Sequence, residues 1–325
     1  MCSLAIDFHP STREESLQQE AIASLQANRI DPKFLYVTPR QSEAWRQVFL
    51  RHSPIHGNPE FSRIYREAFT KVAARIGNIH VLLVGLGCGT GQKEHELASI
   101  LRAKDTNVLF AAVDVSQDLV RESAQKLNEA GAEHRCSLVS DLTQADFIRD
   151  WLDRLDDKRP RLLTFFGVAP NFAPSAMTRL MRTLLRPGDL LFASAHLVPA
   201  ENAGELPAAM ASILPQYRNP ETLAWLTAAL KAWELEELVS EPEMNVSELE
   251  GIAAFLGTVR WKSDLPFERW GHHFTPRPAD SLQLFFSLRY TIALFEDILR
   301  RDGLQAELLS ITACRQEAIW CVRLA

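Results

Sequence analysis

The sequence predicts an α/β protein: a parallel, doubly wound, Rossmann-like sheet with a terminal antiparallel hairpin, joined by a smaller α+β domain. Three observations carry this. From Val81 onward, short apolar runs alternate with helix-competent segments, the pattern of a parallel sheet covered by helices. The first run, Val81-Leu82-Leu83-Val84-Gly85-Leu86, ends in the glycine-rich turn Gly87-Cys88-Gly89-Thr90-Gly91, and a helical segment begins at once with Gln92. The second run, Val108-Leu109-Phe110-Ala111-Ala112-Val113, ends in a carboxylate, Asp114.

Each element follows from local pattern. Residues 1 to about 78 read as mainly helical, with amphipathic stretches at 14–28, 42–51 and 60–76. Asn58-Pro59 is a start signal for the third. Strands are expected at 81–84, 108–113, 137–139, 162–166 and 189–195, with helices at 92–103, 117–130, 144–155 and 174–185 between them. Arg186-Pro187-Gly188-Asp189 is a turn that launches the fifth strand. After His196 the alternation stops. Residues 200–235 read as helical, and 246–262 and 281–290 as strands. A helix at 291–301 and two strand-like runs, 306–312 and 318–324, close the chain as an antiparallel hairpin. The expected division is one domain from 79–197 with 290–325, and a second from 1–78 with 198–289. In an open parallel sheet the ligand sits at the carboxyl ends of the strands, where strand order reverses.

Composition narrows the function. A chain of 325 residues accommodates two domains. A net charge of -6 without a basic block argues against nucleic acid as a partner. The five cysteines (Cys2, Cys88, Cys136, Cys314, Cys321) are odd in number and lack CxxC or zinc-type spacing, which fits a reducing compartment. Neither a signal peptide nor a run of membrane-span length is apparent, so no membrane association and a cytoplasmic location are expected. No metal site is expected. His272 and His273 are adjacent, would face opposite ways on a strand, and have no acid cluster near them in sequence. Oligomeric state has no signature here.

A glycine turn alone can serve NAD, FAD or S-adenosylmethionine. No Gly-Lys-Ser/Thr follows it, so a phosphate-binding P-loop is disfavoured. The dinucleotide pattern is G-x-G-x-x-G, whereas Gly85, Gly87, Gly89 and Gly91 alternate strictly. That closer alternation suits a ligand without a pyrophosphate. Ser140-Asp141-Leu142 after the third strand can read an adenine edge, and Asp114 can accept from ribose hydroxyls. Together with the final hairpin, these features favour S-adenosylmethionine.

Several segments then resemble one family. Asp31-Pro32-Lys33-Phe34-Leu35-Tyr36 with Ser42-Glu43-Ala44-Trp45, the loop Leu86 to Lys93, and Val113-Asp114-Val115-Ser116 are similar to segments of the histidine Nα-methyltransferases of ergothioneine biosynthesis. The fungal dimethylallyltryptophan N-methyltransferases belong to the same family. Two more specific matches are Phe165-Phe166-Gly167-Val168-Ala169-Pro170-Asn171-Phe172 and Ser287-Leu288-Arg289-Tyr290. The resemblance implies a class I methyltransferase sheet, S-adenosylmethionine as methyl donor, S-adenosylhomocysteine as product, and a small amine or amino acid as substrate. It implies that Gly85, Gly87, Gly89, Lys93 and Gly167 line the cofactor, with Asp114 and Val115 at the ribose and Asp141 and Leu142 near adenine. On the acceptor side it implies Tyr36, His56, Asn171, Tyr217, Phe285 and Ser287, of which Asn171, Tyr217 and Ser287 would orient the reacting group.

Two departures shape the expectation. Gly85 and Phe285 stand where the family has glutamates. Phenylalanine cannot bond an imidazole, and an unmatched N–H is costly to bury. The expected acceptor is therefore an amine or amino acid other than histidine. A SAM-binding regulatory protein without turnover, an O- or C-methyltransferase, and a nicotinamide-dependent oxidoreductase are the alternatives at this level.

Overall fold

In chain order the computed structural model has strand β1 (Ile6–Phe8) and helices α1 (Glu14–Gln26), α2 (Pro39–His52), α3 (Pro54–Gly57) and α4 (Pro59–Ile76). The alternating region follows: β2 (Val81–Leu86), α5 (Gln92–Arg102), β3 (Val108–Asp114), α6 (Gln117–Glu129), β4 (Glu133–His134), β5 (Ser137–Val139), α7 (Ala145–Leu155), β6 (Arg161–Phe165), α8 (Pro174–Leu184) and β7 (Leu190–His196). Next come α9 (Leu206–Ile213), α10 (Pro220–Leu226), α11 (Ala228–Ala232), β8 (Glu243–Leu249), β9 (Ile252–Arg260), β10 (Phe267–Arg269), β11 (His272–Phe274) and β12 (Ser281–Arg289). The chain finishes with α12 (Ile292–Arg301), β13 (Leu304–Ile311) and β14 (Glu317–Leu324). The structure describes residues 4–155, 158–200, 202, 204–278 and 280–325. Cys2 lies outside these, and the other four cysteines are free thiols. Among the described residues no helix is long and apolar enough to cross a membrane.

Two units emerge. The first comprises residues 1–9, 54–199 and 290–325; the second comprises 10–53 and 200–289. The first is an α/β unit whose sheet runs β1-β5-β3-β2-β6-β7-β14-β13, with β4 also beside β3. Strands β1 to β7 pair in parallel. Strands β14 and β13 close the edge antiparallel. β2 and β3 are buried along their whole length, as strands covered by helices on both faces must be. The chain leaves β2 for β3 on one side, and β6 lies on the other. Strand order therefore reverses at β2.

The three-residue strand β1 was not expected in a region read as helical; it pairs in parallel with β5 (Ile6 opposite Ser137). Helix α4 was expected to belong with the accessory domain, and it clusters with the sheet unit instead. Its buried face (Ile64, Tyr65, Ala68, Phe69, Val72) joins the sheet's apolar core. Its other contacts go to the terminal hairpin: Arg75 pairs with Glu307 at 2.7 Å, Ser310 Oγ donates to Glu67 at 3.0 Å, and the Lys71 ammonium donates to the Leu309 carbonyl.

The second unit holds α1, α2, α9 to α11 and the antiparallel sheet β12-β9-β8. Thr38 and Gln41 form a capping box at the start of α2. Glu221 on α10 ties to α2 through Arg51 at 2.5 Å and His52 at 3.0 Å. The run expected as one strand at 246–262 is a hairpin. Leu249 pairs with Ile252, and the two residues between them, Glu250 and Gly251, both have positive φ (53° and 78°). A two-residue turn of this hand matches strand twist, but Glu at its first position hides the Asn-Gly or Asp-Gly signature. The helical stretch expected at 200–235 is three short helices.

Candidate functional site

In the first unit the residues singled out by sequence gather at the carboxyl ends of β2, β3, β5 and β6. Gly87 (φ 62°) turns the chain out of β2 and donates its N–H to the Val113 carbonyl at 2.8 Å, which binds the loop to the end of β3. A Cβ at Gly87 would stand 2.7 Å from Val168 Cγ2 and 3.5 Å from Leu142 Cδ1, so the loops after β5 and β6 close directly onto it. Gly91 (φ 70°) leads into α5, and a Cβ there would meet the Ser123 backbone at 2.8 Å. These two glycines let loop and helix approach where a side chain would not fit.

Asp114 ends β3 and is buried. Its Oδ2 accepts from Gly89 N–H at 3.2 Å and its Oδ1 from Ser116 N–H at 3.0 Å, and the Val115 backbone also donates to it. Burial nonetheless pushes its pKa up to about 6. Backbone amides alone thus do not offset the desolvation of this carboxylate. A carboxylate has about four acceptor sites, and three backbone donors leave about one open to a ligand hydroxyl here. That donor-acceptor match is what the ribose of an adenosyl group offers, and the residues fit such a cofactor at this point. Asp141 accepts from the Thr143 N–H and hydroxyl, both at 2.8 Å, which fixes the loop that carries Leu142.

A second cluster surrounds Lys93 and Gly167. A Cβ at Gly167 (φ 75°) would stand 3.9 Å from Lys93 Nζ. The Lys93 ammonium donates to Tyr65 Oη at 2.9 Å and lies 4.4 Å from the Tyr65 ring centre. Tyr65, fully buried on α4, donates to the Glu317 carboxylate and also bonds Ser194. Ser194 Oγ in turn accepts the Gly167 N–H at 2.9 Å. The β6 loop, α4, α5, β7 and β14 are thereby joined through one phenol. Burial lowers the Lys93 pKa, opposed by Glu317 and Glu94. His56, exposed on α3, has its pKa lowered by desolvation and by the charges of Lys126 and Lys93.

Gly85 lies within β2 rather than in the turn, paired with Ala112 and Thr164. A Cβ there would be 2.9 Å from Cys88 Cβ and 3.5 Å from Glu94 Cγ. Glu94, from the first turn of α5, occupies the neighbourhood a longer side chain at 85 would enter, and accepts from Thr164 Oγ1 at 2.8 Å. Burial raises its pKa. Asn171 sits half-buried in a single 3-10 turn after β6, its N–H bonded to the Val168 carbonyl at 2.9 Å. It does not cap α8, whose N-cap is Ala173.

In the second unit the residues expected on the acceptor side form a group of their own. Tyr217 Oη donates to Ser287 Oγ at 3.1 Å and receives a hydrogen bond from Arg289 Nη2 at 2.7 Å. Ser287 is buried, not solvent-facing. Phe285 is buried with its ring 6.1 Å from Tyr217 and 5.5 Å from Trp225. Tyr36 lies 5.7 Å from Trp225 and 6.0 Å from Trp45, which stacks on Phe49. Nearby, a Cβ at Gly257 would stand 3.0 Å from Leu226 Cδ1 and 3.1 Å from Met244 Sδ, so β9 packs closely against both.

Sequence reasoning missed Tyr65, Glu317, Ser194, Glu94 and Arg289. The first three come from distant segments and carry no local signature. Glu94 and Arg289 stand inside recognised segments, but their burial and partners are tertiary facts.

The sequence profile of one family, described as histidine-specific, SAM-dependent methyltransferases, matches residues 17–209, more than half of the chain. No curated protein matches. Among solved structures, the CcbJ methyltransferase from Streptomyces caelestis is 16% identical, over 80% of this chain and 95% of that one, with a TM-score of 0.41. The 1,6-didemethyltoxoflavin-N1-methyltransferase from Burkholderia thailandensis is 12% identical, over 95% and 90%, with a TM-score of 0.44. The N,N-8-amino-8-demethyl-D-riboflavin dimethyltransferase RosA from Streptomyces davawensis is 12% identical, over 98% and 74%, with a TM-score of 0.42. On the match of its sequence profile, the chain belongs to the family of histidine-specific, S-adenosylmethionine-dependent methyltransferases.

Proposed function

We propose that the chain is an N-methyltransferase acting on an amino acid or amine-bearing small metabolite other than histidine. One observation supports the choice of acceptor most directly. Phe285 stands among Tyr217 and Trp225, and the group these rings form with Tyr36 and Phe255 has hydroxyls and apolar faces but no carboxylate for an imidazole.

In this reading the first unit binds the cofactor and the second supplies acceptor-binding groups. Gly87, Gly89, Asp114, Val115, Asp141, Leu142, Lys93 and Gly167 hold the cofactor, with Asp114 on the ribose hydroxyls. When bound, S-adenosylmethionine supplies a methyl group already activated by a sulfonium, so the protein's task is alignment. Asn171, Tyr217 and Ser287 orient the acceptor, and Tyr36, His56 and Phe285 contribute to its recognition. An α-amino group, with a pKa of about 8, must shed a proton to expose its lone pair. Apolar surroundings lower an amine pKa, so desolvation by the aromatic group assists that loss without a dedicated base.

The test is mass spectrometry of full-length protein incubated with S-adenosylmethionine and a mixture of amino acids and amines. The expected result is a product heavier by one methylene, with the added methyl on nitrogen. Methyl appearing on oxygen or carbon would replace the N-methyl assignment. Binding of S-adenosylhomocysteine with no product from the mixture would favour a regulatory protein.

A further inference from the structure

Arg289 is 5 % exposed and ends β12. Its guanidinium carbon lies 5.6 Å from the Tyr217 ring centre and 5.3 Å from that of Phe255. Nη2 bonds Tyr217 Oη. Nε is buried and has no hydrogen-bond partner. Among the described residues no carboxylate pairs with this side chain. The other arginine of comparable burial, Arg161, does have one, in Asp153.

A buried guanidinium without a counter-charge is costly. Stacking on two rings offsets part of that cost. The tyrosine hydroxyl offers Arg289 an acceptor and donates its own O–H to Ser287. What the group lacks is an anion, and the planar N–H fork of arginine matches a carboxylate through two parallel hydrogen bonds. Phe285, in the same aromatic group, adds no competing negative charge.

We propose that Arg289 is the seat of a carboxylate carried by the methyl acceptor, which makes the acceptor an amino acid with an apolar or aromatic side chain rather than a simple amine. The inference rests on the reading of Tyr217, Ser287 and Phe285 as acceptor-binding residues. Its requirement is specific: an amine that differs only by loss of the carboxylate leaves the buried charge unmatched and binds poorly.

The experiment is calorimetric titration of full-length protein, saturated with S-adenosylhomocysteine, with matched pairs. These are L-phenylalanine and phenethylamine, L-tryptophan and tryptamine, L-leucine and isopentylamine. At least one acid should bind about tenfold or more tighter than its amine, the range of a charge-assisted hydrogen bond. Arg289→Gln should reduce that preference to within about threefold, with Arg289→Lys between the two. Both variants should retain wild-type affinity for S-adenosylhomocysteine, which shows that they fold. The proposal is overturned if no acid outbinds its amine, if nothing in the panel binds, or if Arg289→Gln keeps the preference. Product analysis separates this from the N-methyltransferase reading. Amines methylated regardless of carboxylate retain that reading and remove Arg289. Acids held through Arg289 that gain no methyl on nitrogen do the reverse.

Discussion

The N–H of Gly89 donates to the side chain of Asp114 at 3.2 Å, so the loop leaving β2 is clamped to the acid ending β3. The same carboxylate takes the Ser116 N–H on its other oxygen. One buried group therefore fixes two of the loops that form the candidate cofactor site.

Asp114 should make cofactor binding pH-dependent. Its folded-state pKa, raised to about 6 by burial, exceeds the ordinary 3.8, so the protonated form is favoured in the folded protein as pH falls through that value. Ribose hydroxyls donate to the ionised form. Affinity for S-adenosylhomocysteine should hold at about pH 8 and fall below about pH 6, by up to tenfold per unit. Asp114→Asn should weaken binding about tenfold or more at about pH 8 and flatten the profile. Calorimetry across the range measures both; an unchanged slope in the variant would count against the ribose role.

Tyr65 should matter to stability more than its single hydroxyl suggests. Tyr65→Phe leaves the Glu317 carboxylate without its phenol donor and Lys93 and Ser194 without an acceptor. The expected loss is about 2–4 kcal/mol, because buried polar groups are stranded rather than removed in pairs. Thermal unfolding would show a midpoint several degrees lower, and a change within error would contradict the network.

Two glycines should respond differently to alanine. At Gly77 (φ 63°, ψ -142°) a Cβ meets nothing within 4 Å, so Gly77→Ala should cost only the backbone strain of a conformation used almost solely by glycine, about 1–3 kcal/mol. At Gly91 (φ 70°) the Cβ meets Ser123 Cα at 2.8 Å, so Gly91→Ala adds a backbone clash between the loop and α6. That variant should lose roughly 3 kcal/mol or more and bind S-adenosylhomocysteine poorly. Equal denaturation midpoints for the two variants would refute the close approach.

Glu94 offers a charge test. Burial raises its pKa, so the ionised form opposes folding, and that penalty grows as pH rises through the folded-state value. Glu94→Gln keeps an acceptor for Thr164 and removes the charge, so it should stabilise the protein more at about pH 8 than at about pH 5. Glu94→Ala leaves the Thr164 hydroxyl only the Val84 carbonyl at 3.4 Å and opens a cavity, costing about 2–3 kcal/mol. Denaturant titrations at both pH values distinguish them.

What was legible in the sequence was what short segments encode. The run from Val81 through Gly91, and Asp114 at the end of the next run, marked the strand ends because apolar periodicity and glycine spacing are local. Tyr217, and Phe285 with Ser287 on β12, from two parts of the accessory segment, do meet in the second unit. Less local facts were not visible. Tyr65 reads as one more apolar position on an amphipathic helix, and only folding brings Glu317 to it. The same long-range packing places α4 with the sheet unit rather than with the N-terminal helices. The hairpin at Glu250-Gly251 was read as one strand because its turn lacks the preferred residues, and β1 is too short to show a period.

Strand β14 reaches β7 only after the chain has traversed the whole of the second unit. Until then Leu191 to Ala195, all buried in the finished sheet, present a row of unsatisfied amide and carbonyl groups along one side. Such a border captures other strands, including those of sister molecules. A recombinant fragment halted after His196 should accordingly be recovered in inclusion bodies. The C-terminal hairpin thus acts as a selvedge, keeping the fabric of the sheet from being stitched to its neighbours.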